Sequence, residues 1–113
     1  MPLDAAAVQQ LRGDLGGDAG AWNEIVAGAI KELPDLLRQA REAASKGNAA
    51  ELRRAAHTIK SLGRMFGDAA LTAECLSAEQ RAAAGDIAGA STLLPRISDL
   101  AQQTARDLTA LLS

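Results

Sequence analysis

The chain has few of the residues that small domains use for cross-links, metal sites and aromatic cores. Only 2% of its 113 residues are aromatic, and it contains one Cys and one His. Cys75 alone cannot form an internal disulfide, and with no second soft ligand it cannot make a zinc site. The N-terminal "MPLDAAAVQQ" lacks a signal-peptide pattern, and no apolar run is long enough to cross a bilayer. These absences predict a soluble protein of the reducing cytoplasm.

The charge balance and the glycine pattern exclude two further classes. A net charge of -2, with no alternation of basic and aromatic residues, argues against a nucleic-acid binder. No G-x-x-x-x-G-K-[ST] loop occurs, and 113 residues fit a single domain, 1–113, with no room for an ATP-binding kinase domain. We therefore expect no autokinase activity and no cofactor.

What the chain does contain is typical of helices. Apolar residues make up 48% of the sequence, most of them Ala and Leu, and Ala is the best helix former. Four junctions place a Gly just before an Asp or Asn, the pattern of a helix C-terminus followed by an N-cap: Gly16 to Asp18, Gly47-Asn48, Gly67-Asp68 and Gly85-Asp86. These junctions predict helices near 4–15, 18–46, 48–66, 68–84 and 86–112.

Apolar spacing within these segments predicts an all-α, antiparallel up-down four-helix bundle with a short additional N-terminal helix. We expect Pro34 and Pro95 to bend the two long segments that contain them. The predicted core stripe of the second segment is Trp22, Ile25, Val26, Ala29, Leu33, Leu36, Leu37 and Ala40. That of the last segment is Ile87, Ala90, Leu94, Ile97, Ala101, Thr104, Leu108 and Leu111, and the short first helix contributes Val8, Leu11 and Leu15.

The third helix carries the single histidine on its outer face. At about 100° per residue, the apolar arc that faces the core consists of Leu52, Ala55, Ala56, Ile59, Leu62 and Phe66, and His57 lies nearly opposite. Its neighbours one and two turns away are Arg53, Lys60, Ser61 and Arg64, which form a cationic strip. Nearby cations disfavour imidazole protonation, so we expect a neutral ring with a free nitrogen lone pair that suits an anion.

The helical wheel alone leaves the role of His57 open. Most exposed histidines have no function, and a basic strip is usually only a solvated helix face. A metal site is disfavoured because there is no second His and no Glu three or four residues away along the chain. A haem ligand would have to face inward, whereas the helical wheel places His57 on the outer face.

The motif around His57 resembles the signature of histidine-containing phosphotransfer (HPt) domains, the helical bundles of multistep two-component phosphorelays. The segment "AAHTIKSLGRMFGDAALTAECLSAEQRA" carries the resemblance. It extends over nearly the whole chain through "LRGDLGGD", "ELPDLLRQA", "GNAAELRRAAH" and "STLLPRISDLAQQ".

The resemblance implies that His57 is the phosphoacceptor, whose Nε2 attacks the aspartyl phosphate of a receiver domain that brings Mg²⁺ and most of the catalysis. Lys60 matches the lysine that neutralises the phosphoryl oxygens, and Gly67 matches the glycine that ends the histidine helix. Cys75 and Glu79 match a less functional part of the pattern, and Cys75 is expected in the core with Leu71, Ala78 and Ala82.

Two positions depart from the family pattern. Ser61 replaces the usual small residue, often Gly, and its hydroxyl is a possible hydrogen-bond donor to a phosphoryl oxygen. Arg64 stands where a small residue is common, so it is expected to narrow the choice of receivers or to add a phosphate contact. Further supporting or docking positions are Arg53, Gly63, Gly67, Met65 and Leu76.

The resulting prediction is a phosphorelay intermediate that works with receiver domains of response regulators or hybrid histidine kinases. The alternative is a helical adaptor that binds signalling proteins without being phosphorylated. A metal-binding bundle is a remote third possibility.

Overall fold

The computed structural model of the protein describes residues 3–112, which form six helices and their connections. The helices are α1 (Ala5–Asp14), α2 (Ala19–Ser45), α3 (Ala49–Met65), α4 (Ala69–Ala83), α5 (Ile87–Ser91) and α6 (Leu94–Thr109). Four of them are long, and no strand occurs within the described range. The prediction of an all-α protein is confirmed.

The helix boundaries follow the Gly-Asp and Gly-Asn junctions of the sequence. Each such Asp or Asn is an N-cap whose side-chain oxygen accepts a hydrogen bond from a backbone N–H of the first turn, which would otherwise lack a partner. The preceding glycines have positive φ, the conformation that L side chains rarely adopt. The N-caps of α2 to α5 are Asp18, Asn48, Asp68 and Asp86.

The last predicted helix is wrong in one respect, because it is two helices rather than one. The short α5 ends at Ser91, and α6 starts at Leu94 with Pro95 in its first turn. A proline inside a continuous helix would remove one hydrogen bond and clash with the carbonyl four residues earlier. The first turn of a new helix avoids both costs. Pro34, in contrast, does lie inside α2 as predicted.

The four long helices form a closed bundle. α3 packs between α2 and α4, and α6 packs against both α2 and α4, so α3 and α6 lie on opposite corners. The bundle measures 43 × 21 × 20 Å. Its core stripes are buried as predicted, apart from Ile25, Leu62, Ile87 and Leu111, which are half-buried. The residues predicted for the first helix are also half-buried: Val8, Leu11 and Leu15. The short α1 contacts α3.

Two glycines set how closely the chain packs around α3. A Cβ on Gly63 would lie 2.9 Å from Thr72 Oγ1 on α4, so a larger residue there would require the Thr72 side chain or the α3/α4 spacing to shift. Gly67 has a φ of +71°, and a Cβ there would lie 2.6 Å from the Cβ of Asp4. The backbone of Asp4 donates a hydrogen bond to the Gly67 carbonyl at 3.1 Å, which ties the start of α1 to the α3/α4 turn.

Candidate functional site

His57 lies on the outer surface of α3, as the helical wheel predicts. Its side chain is 61% exposed to solvent. The backbone of α3 is held by core side chains on the opposite face, among them the fully buried Leu52 and Ile59. The imidazole is therefore presented to solvent from a rigid helix.

One edge of the imidazole is bound by a carboxylate from the next helix. His57 Nδ1 lies 2.7 Å from Glu79 Oε2 on α4. The other carboxylate oxygen, Oε1, accepts a hydrogen bond from Lys60 Nζ at 3.0 Å. Glu79 thus links the histidine and the lysine, using one oxygen for each.

The charge state of Glu79 determines which imidazole nitrogen carries the hydrogen. Burial raises the pKa of Glu79, but hydrogen bonds from Lys60 and His57 outweigh this effect, so its pKa lies below the ordinary value. An ionised carboxylate can only accept, so Nδ1 must donate. In the neutral ring the lone pair is then on Nε2, the nitrogen that does not contact Glu79.

Lys60 does not belong to an exposed cationic strip, and that expectation is wrong. Its side chain is only 8% exposed. The wheel of a single helix cannot show this, because it is α4 that covers the flank of α3 where Lys60 lies. The aliphatic part of Lys60 is enclosed while its ammonium group reaches Glu79, which compensates for the loss of water around the charge.

The arginines and the serine near His57 have different environments from that of Lys60. Arg53 and Arg64 are exposed, and neither side chain makes a hydrogen bond or ion pair with another residue of the range 3–112. Arg54 binds Glu51 and Gln39. The Ser61 hydroxyl donates to the backbone carbonyl of His57 at 3.0 Å. That hydrogen is therefore used within α3.

The predicted docking residues fall into two groups. Met65 and Leu76 are exposed, at 42% and 38%, as expected. Gly63 is buried in the α3/α4 contact, and Gly67 is covered by α1, so both glycines shape the scaffold rather than its surface. A shallow, open depression of about 270 Å³ adjoins the histidine, and it is lined by Ala50, Arg53, Arg54 and His57.

Cys75 is fully buried in the core stripe of α4, as predicted. Burial, reinforced by nearby carboxylates such as Glu74 and Asp68, raises the pKa of Cys75 to about 12. The thiol is therefore protonated at neutral pH and unsuited to nucleophilic chemistry. Within the described range, no three potential His, Cys, Asp or Glu ligands cluster as a metal site would require. None of the described helices combines the length and the apolarity that a membrane span needs.

The part of the site that the sequence reasoning underestimated is Glu79. A signal for it was available in the chain. The turn between α3 and α4, residues 66–68, centres on Gly67, and His57 and Glu79 lie ten and twelve residues from it, at nearly equal distances along the two helices. In an antiparallel helical hairpin, residues equally distant from the turn lie at the same level. Counting outward from the Gly67-Asp68 junction would have placed this carboxylate beside the imidazole.

Comparison with known proteins places the chain in a family. Residues 24–107 match the Hpt domain family, a region that includes His57, Lys60 and Glu79. Comparison with curated protein sequences gives no match. Among solved structures, the fold is similar to the crystal structure of histidine-containing phosphotransfer protein B from Pseudomonas aeruginosa PAO1. The TM-score is 0.86 at 19% sequence identity, over 96% of this chain and 91% of that one. Because the family match covers most of the sequence, the chain belongs to the Hpt family, whose members transfer phosphoryl groups in two-component phosphorelays.

Proposed function

We propose that His57 is the residue that carries the phosphoryl group, received from the aspartyl phosphate of a receiver domain and passed to another. The observation that carries this proposal is the orientation of the ring. Its Nδ1 hydrogen is bound by Glu79, and the remaining nitrogen belongs to a side chain that is 61% exposed. A nucleophile needs an accessible lone pair, and Nε2 has one.

In the transfer step, the Nε2 lone pair attacks phosphorus and forms the N–P bond. The bond between phosphorus and the aspartyl oxygen breaks, and its electron pair leaves with the aspartate of the receiver. The ring becomes positively charged, and Glu79 stabilises this charge through the Nδ1 hydrogen bond. No proton has to leave the imidazole for transfer to occur, and transfer in the reverse direction retraces the same path.

Lys60 has a second task in this proposal. A carboxylate bound to the ring that carries the acceptor nitrogen would repel an incoming anionic phosphoryl group. The ammonium of Lys60, 3.0 Å from Glu79, offsets that repulsion and adds positive charge next to the ring. Glu79 can therefore orient His57 without making the site anionic overall.

The surface around His57 is the proposed contact with receiver domains, and it includes the exposed Met65 and Leu76. The chain itself supplies the positioned nucleophile and the complementary surface. We expect no phosphorylation of the chain by ATP alone.

The test is transfer of labelled phosphate from purified, phosphorylated receiver domains to the wild-type protein and to His57→Gln. His57 is the only histidine in the chain, so an acid-labile, alkali-stable phosphate can be assigned to it without mapping. We expect labelling of the wild type, none of His57→Gln, and equal melting temperatures, because the ring is mostly in solvent. If receivers bind the wild-type chain but never transfer label to it, the chain has the adaptor function instead.

A further inference from the structure

The positive charges of this chain are distributed unevenly between internal pairing and open surface. In the range 3–112, eight of the twelve Lys and Arg side chains make a hydrogen bond to another residue. The four without such a bond in that range are Lys31, Arg53, Arg64 and Arg81. Two of these four, Arg53 and Arg64, lie on the helix that carries His57.

Helix geometry places both of these arginines on the histidine face. Arg53 precedes His57 by four residues and Arg64 follows it by seven, so both lie within about 40° of the histidine around the axis of α3. Along the axis they are about 6 Å and about 10.5 Å from His57, on opposite sides of it. We call this surface, made of Arg53, His57 and Arg64, the arginine-flanked face.

The arginine-flanked face is positive although the protein as a whole carries a net charge of -2. The acid that contacts it, Glu79, is neutralised by Lys60. The next acid along α3, Glu51, is bound to Arg54 at 2.7 Å. The charges of Arg53 and Arg64 are therefore available to a partner, and Arg53 also lines the depression beside the ring.

Resting on the proposed function, we infer that the arginine-flanked face selects receiver domains that present anionic groups on both sides of their phosphorylated aspartate. One anionic group fits the depression at Arg53, and the other meets Arg64. Paired charges of this kind mainly raise the rate of association and suppress partners with the wrong charge. Arg64, the more distant of the two, acts on the partner protein rather than on the phosphoryl group.

The experiment compares two phosphodonors at two salt concentrations. One donor is phosphoramidate, a small molecule with no docking surface. The other is a purified receiver domain chosen because it phosphorylates the wild-type chain. The variants are Arg53→Glu, Arg64→Glu and both together. The control is Arg106→Glu, which makes the same charge change on α6, the helix diagonal to α3.

With the receiver, we expect Arg64→Glu to lower the second-order rate constant about tenfold at low salt and less than about twofold at ~0.5 M salt. With phosphoramidate its rate should stay within about twofold of the wild type. The two arginines are about 16.5 Å apart, beyond the Debye length of about 8 Å at physiological salt, so at that salt concentration the fold-changes of the double variant should multiply.

Two results would overturn the inference, and they are distinguishable from failure of the proposed function. If Arg64→Glu loses no more rate than Arg106→Glu at low salt, charge on this face does not select the partner. If its loss is equal with phosphoramidate and with the receiver, Arg64 acts on the site and not on docking. If phosphoramidate and every receiver domain that is tried fail to label the wild type, the proposed function itself fails.

Discussion

Helix α4 carries two carboxylates that are used in opposite ways. Asp68, at its N-terminus, is 1% exposed, and its side chain accepts from the backbone N–H of Leu71 and from the hydroxyl of Thr104 on α6. Glu79, three turns later, is partly accessible and accepts from His57 and Lys60. The partners of Asp68 never change charge, whereas those of Glu79 are ionisable. The comparison shows how one helix separates a carboxylate that holds the fold from one that contacts the histidine.

The largest expected effect is a loss of stability on substitution of Asp68. Asp68→Ala removes the cap of α4 and leaves the Thr104 hydroxyl without its carboxylate partner, so the free energy of unfolding should fall by about 3 kcal/mol. Urea denaturation followed by circular dichroism measures the change. The matched control is Asp86→Ala, an exposed cap of the short α5, with an expected loss of about 1 kcal/mol or less. Equal losses would show that burial does not distinguish these caps.

The next largest effect is expected on the rate of phosphotransfer, on substitution of Glu79. Glu79→Gln replaces an acceptor-only group by an amide that can also donate, so the Nδ1 tautomer of His57 is no longer enforced. We expect phosphotransfer to slow by about 10- to 100-fold, with a loss of unfolding free energy below about 1 kcal/mol.

Single-turnover transfer and the nitrogen NMR shifts of the imidazole measure this effect. The control is Glu74→Gln on the same helix, whose partner Arg96 belongs to α6. A normal transfer rate together with a changed tautomer would separate orientation of the ring from reactivity and would contradict the role given to Glu79.

The pH dependence of stability gives a smaller effect of known sign. The pKa of Glu79 is lowered in the folded protein, so the stability it contributes is complete above the unfolded value of about 4.3. It is lost as pH falls through the lower, folded value. The difference in unfolding free energy between the wild type and Glu79→Gln should therefore shrink from pH ~6 to pH ~3. A difference that stays constant over this range would show that folding does not lower the pKa of Glu79.

The smallest effect is expected at Ser61. Its hydroxyl lies beside the histidine but donates to a backbone carbonyl. Like the carboxylate of Asp68, and unlike that of Glu79, it therefore stabilises the fold and has no part in the proposed transfer. Ser61→Gly should leave the transfer rate within about twofold and cost about 0.5 kcal/mol of helix stability. A larger loss of transfer rate would show that the hydroxyl turns toward the phosphoryl group.

Most of the fold follows from local signals in the sequence. The Gly-Asp and Gly-Asn pairs locate four junctions because capping is a short-range interaction. The break before α6 was missed because a proline fits either a bent helix or the first turn of a new one, and only the packing around it decides.

The site was predictable to the extent that it depends on one helix. The outward position of His57 follows from the periodicity of α3. The burial of Lys60 and the contact with Glu79 depend on a second helix and on the spacing that Gly63 allows, which no single-helix pattern contains.

That spacing has a consequence for observation as well as for catalysis. Because His57 belongs to α3 and Glu79 to α4, anything that pushes these two helices apart also stretches the 2.7 Å link between Nδ1 and the carboxylate. The protein has a single imidazole, so its NMR resonance is assigned without ambiguity and is sensitive to the length of this hydrogen bond. A partner that separates α3 from α4 would therefore shift the imidazole resonance before phosphoryl transfer takes place.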